Sequence, residues 1–355
     1  SERYFYKAVK PILDRHYPDL PYTAGLIGDG SEVLGYDDQM STDHDWGPRL
    51  LLFLDPEDHN RLSTELNGRL ATELPYVFEG VPTSFTPPDP NDHNTQQLEP
   101  IESGPVHHRV KLYKLRHYLY NQLGIDVEKQ MAASDWVSVS EQRLLSVTAG
   151  KLFVDQLGLE EIRSRLAYYP RDVWLYLLAA GWTRIGQEEH LMGRAGVVGD
   201  EIGSALIAAR LVRDIMRLFF FMEKRYAPYA KWFGTAFKSL RVGPRLAPIL
   251  FDTLQAPTWE LREEGLCHAY RYLAAAHNQL GLTKPMSEEP AQFFDRPFRV
   301  IAFHGYAQAL IKEIEDPVVL ALTKIPLIGG LDQFSDSTDL TSNPVFHKKI
   351  KLLYQ

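Results

Sequence analysis

The sequence predicts an α+β protein, with a mixed sheet and helices over residues 1–160 and an all-α region with a C-terminal tail over 161–355. Three observations carry this reading. Leu50 to Leu54 is continuously apolar, as a strand buried on both faces requires. Up to residue 160, strand-like runs alternate with helical ones. Beyond it, Trp174 to His190, Gly203 to Tyr226 and Trp259 to Leu280 are long stretches at helical spacing, with few strand-like runs before Phe298 to Phe303.

Taken in order, Glu2 to Tyr17 places Tyr4, Phe5, Val9, Ile12 and Leu13 on one side of a helix, which Pro11 is expected to kink or split. Thr23 to Ile27 is a short strand entering a Gly-rich turn. After the apolar strand, Pro56 and Asp58 open a helix carrying Leu62, Leu66 and Leu70, and Tyr76 to Thr86 follows as a strand. Thr86 to Gly104 is rich in Pro, Asn and Asp without hydrophobic period, hence a surface loop. His107 to Lys114 alternates as a strand, and Leu115 to Leu123 is a helix closed by Gly124. Trp136 to Leu145 is a further helix, and Val147 to Asp155 a short strand ending in acid. The polar segment Gly330 to Asp339 reads as a surface loop.

The composition narrows the class. At 355 residues, with 45% hydrophobic and 24% charged side chains, the chain has the size of two ordinary globular domains. Its single cysteine, Cys267, excludes an internal disulfide and a multi-cysteine metal site, and points to a reducing cytoplasm. No apolar run approaches the roughly 20 residues that span a bilayer, and no signal-peptide pattern opens the sequence. A cytosolic enzyme is the expectation. The net charge of −8 argues against an extended nucleic-acid partner, which selects for a basic surface, but not against a single nucleotide.

The chemistry is concentrated between Gly28 and Asp55. Gly28, Gly30 and Gly35 surround Ser31, and a turn without Cβ atoms lets backbone N–H groups converge on a phosphate. Twelve residues after Ser31, Asp43 and Asp45 flank His44. In extended chain they share a face, roughly 7 Å apart, and two such carboxylates make half of a Mg²⁺ site. The ordinary alternative is a glycine turn followed by an N-cap or Asx turn at Asp43 or Asp45.

Gly30-Ser31 followed by Asp43-His44-Asp45 beside an apolar strand resembles the nucleotidyltransferase superfamily, which includes polymerase β and the kanamycin nucleotidyltransferases. The resemblance implies that Asp43 and Asp45 hold Mg²⁺ and that Gly30 and Ser31 hold the NTP phosphates. It also implies a third carboxylate on a later strand, where this sequence has Arg109, Val110, Lys111 and Leu112. Glu79, Asp89 or the His107-His108 pair are the substitutes the sequence offers, and spacing does not choose among them. Asp155 resembles the end of the strand that closes the kanamycin-type sheet. In those enzymes a Glu from the helical domain activates the acceptor, and Glu188, Glu189 or Glu201 would resemble it.

From Arg184 to Arg245 the chain carries 11 Lys or Arg against 6 Asp or Glu. Arg210, Arg213 and Arg217 fall on one helical stripe, and two readings are open. Arg213 and Arg217 could meet a triphosphate in fork geometry, or Asp214 could neutralise an exposed face. Lys231, among Tyr226, Tyr229 and Trp232, suits a stacked base, as it suits an aromatic core corner. The segments YYPRDVW, RIGQEEHLMGRAG, RLVRDIMRL, YAPYAKWFGTAF and DQFSDSTD resemble an uncharacterised bacterial family known only as a domain of unknown function, over nearly the whole chain. The expectation is therefore a Mg²⁺-dependent transfer of NMP from an NTP to an unidentified small-molecule hydroxyl. The alternatives are a non-catalytic nucleotide-binding protein, or a nucleotidyl-transferring regulator acting on a protein or RNA.

Overall fold

The computed structural model describes residues 1–37, 46–92 and 94–355. The chain divides into two compact units, residues 1–129 with 143–167 and residues 130–142 with 168–355.

The first unit is built on a four-stranded mixed sheet. Its strands are β1 (Tyr22–Leu26), β2 (Arg49–Leu54), β3 (Arg109–Lys114) and β4 (Lys151–Asp155), in the order β3-β2-β1-β4. β1 runs antiparallel to β2 and β4, whereas β2 and β3 are parallel, with Arg49 opposite Arg109. The apolar run of β2 is buried on both faces. Leu50, Leu52 and Leu54 join Phe5, Val9 and Leu13 of the N-terminal helix and Leu66 and Leu70 of the helix Pro56–Glu73. On the other side, Phe53 meets Tyr118 edge-on at 5.0 Å. Each fully buried Leu contributes about 1.5–3 kcal/mol, so this strand is the chief apolar anchor of the unit.

The N-terminal helix is not split at Pro11: the chain stays helical from Glu2 to His16, with a wider turn, Phe5–Val9, ahead of α1 (Lys10–His16), which has Pro11 in its first turn. α2 (Ser31–Leu34) follows β1, and α3 (Pro56–Glu73) starts where Asp55 accepts from the Glu57 N–H at 3.1 Å. α4 (Leu115–Leu123) ends on Gly124 in the left-handed conformation. The helix expected over Trp136 to Leu145 is two pieces, Ala133–Ser138 and α5 (Glu141–Thr148), broken at Val139 in extended conformation. α5 absorbs Val147 and Thr148, which the sequence assigned to a strand, so β4 begins only at Lys151. The turn between them needs Gly150, with φ +74° and a position where a Cβ would lie 2.0 Å from the Leu26 carbonyl oxygen. Asp155 closes β4 as a capping group. It accepts from the Thr23 hydroxyl at 2.6 Å and from the N–H groups of Leu159 and Glu160 at 3.0 and 2.8 Å, ahead of α6 (Leu159–Arg165).

The second unit is helical apart from a two-residue ribbon, Ala291–Gln292 with Arg299–Val300. Its long helices are α7 (Arg171–Val197), α8 (Glu201–Met222), α9 (Gly243–Gln255) and α10 (Trp259–Gln279). Val173 to Trp182 of α7 is buried without interruption, so this stretch is a central helix rather than an amphipathic one. Further along α7, a Cβ on Gly196 would lie 2.1 Å from the Trp259 ring, which explains a small residue there. The segment expected as a surface loop, Gly330 to Asp339, docks over its first half and is exposed from Asp336 to Asp339. Leu331 and Gln333 are buried, and the Gln333 amide donates to the Leu177 carbonyl at 3.1 Å. Its polar side chains find partners inside the unit, which composition does not reveal. Among the described residues, no helix is long and apolar enough to cross a membrane.

Candidate functional site

β1 delivers the chain to the glycine turn, and the turn is held from two sides. The Gly28 N–H donates to the Ser146 carbonyl at 2.9 Å. Gly28 and Gly30 have φ of +101° and +129°, and a Cβ on Gly28 would lie 2.8 Å from the Tyr118 hydroxyl. Arg49, the first residue of β2, pairs with the Glu32 carboxylate and donates to the Asp29 carbonyl at 3.2 Å. The guanidinium thus ties the turn to the neighbouring strand, and a Cβ on Gly30 would lie 2.6 Å from it. Ser31 opens α2 immediately after Gly30. Tyr118 and Arg143 stand on the same side of the unit, with the Asp29 charge acting on both. Burial lowers the Arg143 pKa and raises that of Tyr118, and Arg143 donates to Gln122 at 2.8 Å. Sequence reasoning missed Arg49, Tyr118 and Arg143. For Arg49 a signal was present, a lone cation at the mouth of an apolar strand just after two carboxylates.

Asp43 and Asp45 lie outside the described residues. Among the described residues, no group of three or more His, Cys, Asp or Glu could hold a metal. Of the substitutes for a third carboxylate, Glu79, Asp89 and His108 are engaged elsewhere, and His107 is exposed. Glu79 pairs with Arg3 at 2.8 Å and Lys7 at 2.9 Å. Asp89 accepts the Asn91 N–H at 2.9 Å. His108 is held between the Asn67 carbonyl and the Val110 N–H, both at 3.2 Å, and burial lowers its pKa. At the start of β3 stands Arg109, buried and 5.5 Å from the Phe85 ring centroid. A cavity of about 420 Å³ borders Glu32, Trp46, Gly47, Pro48 and Phe78, so it shares Glu32 with the turn.

The remaining sequence candidates belong to the second unit, and each is engaged within it. Glu188 chelates the Arg210 Nε at 2.8 and 3.0 Å. Glu201 pairs with Arg262. Arg213 reaches Asp214 at 3.3 Å, the Asp332 carbonyl at 3.0 Å and Asp336 at 2.7 Å. Arg217 pairs at 3.2 Å with Glu141, which is only 2% exposed. The Glu141 carboxylate also accepts the Ala227 N–H at 2.6 Å. Asp214 is buried between Arg184 and Arg213. The arginine stripe is therefore not an exposed face neutralised by Asp214 alone, because four carboxylates, Glu188, Asp214, Asp336 and Glu141, serve its three arginines. Lys231 is exposed, with its ammonium 5.0 Å from the Trp232 ring centroid.

Glu189 is a buried group rather than a solvated helix residue. It accepts the Ile301 N–H at 2.7 Å, and burial pushes its carboxyl from an ordinary 4.5 up to about 7. The folded state then holds a proton that the unfolded state releases, so stability should fall as pH rises from about 4.5 to about 7. Glu189→Gln, whose amide oxygen still accepts from Ile301, should flatten that decline. The expected difference reaches on the order of 2–3 kcal/mol by neutral pH, and urea unfolding of both proteins across this range measures it.

Residues 136–233 match a family described as "Domain of unknown function (DUF4037)". The match is narrower than the near full-length resemblance read from the sequence, and takes in α5 to the start of the helix Ala230–Lys238. None of the curated proteins matches the chain. Among solved structures, a nucleotidyltransferase-like protein from Exiguobacterium sibiricum 255-15 is 10% identical, covers 78% of each chain and has a TM-score of 0.31. That likeness is too remote to bear on activity.

Proposed function

We propose that this chain is a Mg²⁺-dependent nucleotidyltransferase that transfers NMP from an NTP to a small-molecule hydroxyl. The observation that carries the reading is the glycine turn fastened by Arg49 between two antiparallel strands, with Asp43-His44-Asp45 in the connection that joins them. Backbone N–H groups of Gly30 and Ser31, with the Ser31 hydroxyl, would bind the β- and γ-phosphates. The acceptor oxygen attacks the α-phosphorus as its hydroxyl proton passes to solvent, the α–β bridging P–O bond breaks and pyrophosphate leaves. Asp43 and Asp45 are hard oxygen donors and suit Mg²⁺ by chemistry. When bound, the ion neutralises charge on the transferring phosphate. The cavity beside Glu32 and Trp46 offers the acceptor space close to the turn. In this reading Glu188, Glu189, Arg213 and Arg217 belong to the scaffold of the second unit.

One observation favours a second reading, a nucleotide-binding protein without turnover. Opposite Arg49, at the first position of β3, stands Arg109 where the resemblance implies an acid. Incubation with α-labelled NTP and Mg²⁺ separates the possibilities. Label on a small product supports the proposal, and label on protein or RNA makes the acceptor a macromolecule. Binding without label transfer leaves the second reading. A narrower test addresses the turn. Gly30→Val places a branched side chain at positive φ and against Arg49, so NTP binding should weaken about ten- to a hundredfold, the worth of one hydrogen bond to a charged group. Unchanged affinity in a folded variant would put the phosphates elsewhere.

A further inference from the structure

A second cavity, of about 410 Å³, lies in the helical unit between Arg194 near the end of α7 and Phe293, Phe294, Asp295 and Arg296 in the loop of the short ribbon. The loop is closed by the Phe293 N–H donating to the Phe298 carbonyl at 2.8 Å. His190, one turn before Arg194, stacks on Phe293 with centroids 4.6 Å apart and planes 18° apart, so that ring is backed by the helix. Phe294 meets Phe293 at 4.9 Å and Phe303 at 5.2 Å, both edge-on. Phe294 and Phe303 are nevertheless 68% and 53% exposed.

Two features of this cluster point to a ligand. Phe294 has φ +54°, a left-handed conformation that bulky side chains rarely adopt, and it holds an apolar ring out in water. Residues strained in this way collect at ligand clamps. Arg194 is exposed and makes no hydrogen bond or ion pair among the described residues, while Arg296 reaches only the exposed Asp295, at 3.5 Å. An aromatic face beside an uncommitted guanidinium fits a flat ring carrying an anion. The volume is within the range of small-ligand sites, about 300–1,000 Å³.

We propose that this cavity binds a nucleoside monophosphate unit, with the base on Phe294 and the phosphate on Arg194. The phenylalanines offer no hydrogen bonds to base edges, so preference among bases should be slight. The site shares no residue with the glycine turn and does not depend on the function proposed for it.

Calorimetric titration with AMP in EDTA tests the proposal, with adenosine, ribose 5-phosphate and a six-residue oligoadenylate as comparison ligands. AMP should bind at least about tenfold more tightly than either fragment, since stacking and phosphate contact each contribute. Phe294→Gly suits the positive φ and should keep the fold, yet weaken AMP about tenfold. Arg194→Gln should weaken it comparably and reduce its salt dependence. An oligoadenylate bound more tightly than AMP identifies the nucleotide as part of a single strand, and equal affinities identify it as free. No AMP binding to the wild-type chain, or wild-type affinity in Phe294→Gly and Arg194→Gln, would each overturn the assignment.

Discussion

Asp43→Asn and Asp45→Asn are each expected to remove Mg²⁺-dependent NTP turnover while the fold persists. A carboxamide is nearly the size of a carboxylate but brings no negative charge to a hard cation. A catalytic metal supplies several kcal/mol of transition-state charge stabilisation, so losing it should slow turnover by about a thousandfold or more. NTP binding should fall less, because the glycine turn remains. Release of labelled pyrophosphate from γ-labelled NTP, measured beside circular dichroism, gives the answer. Turnover retained by either variant would remove that carboxylate from the site. Loss of folding in both would make the pair a structural cap instead.

The largest effect on stability is expected at Arg217. The sequence allowed two outcomes for Arg217→Ala: loss of about 1.5–3 kcal/mol of phosphate interaction, or under about 1 kcal/mol for an exposed pair. The structure points to a third. Arg217 pairs with Glu141, whose carboxyl is pushed up by burial and by the nearby Asp332, against the pull of Arg217 and the Ala227 N–H. Asp332 in turn accepts the Glu141 N–H at 2.8 Å, so a buried and a half-buried carboxylate share this corner with Arg213 and Arg217. Removing one partner of a buried pair strands the other, which typically costs about 3–5 kcal/mol. Arg217→Met retains the bulk over the Phe233 ring and isolates the charge effect. It should lower the urea midpoint strongly, and adding Glu141→Gln should recover part of the loss. A loss of stability of less than about 1 kcal/mol with impaired NTP kinetics would return Arg217 to the active site.

What could be read from the residues follows from what acts locally. β2 was legible because a strand buried on both faces must be apolar at every position, and Leu50 to Leu54 is. The end of α4 was legible because Gly124 adopts the left-handed conformation cheaply. The glycine turn was legible for the same reason, and Gly28 and Gly30 both take positive φ. Arg49 escaped because its partner, Glu32, is 17 residues away and meets it only once β1 and β2 pair.

The helical unit shows where local reading stops. Asp214 sits at helical spacing from both Arg210 and Arg217, so proximity in sequence made it their partner. Packing of α8 against α7 turns it to Arg184 instead, and the other two arginines find Glu188 and Glu141. Glu188 and Glu189 are adjacent in an otherwise unremarkable polar run, yet one meets Arg210 and the other is buried beneath Ile301, 112 residues on. Backbone conformation and apolar period depend on neighbours in the chain, and the sequence states them directly. The protonation of Glu189, the partner of Arg217 and the burial of Gln333 depend on which distant surfaces meet, and a linear pattern of charges carries no term for that.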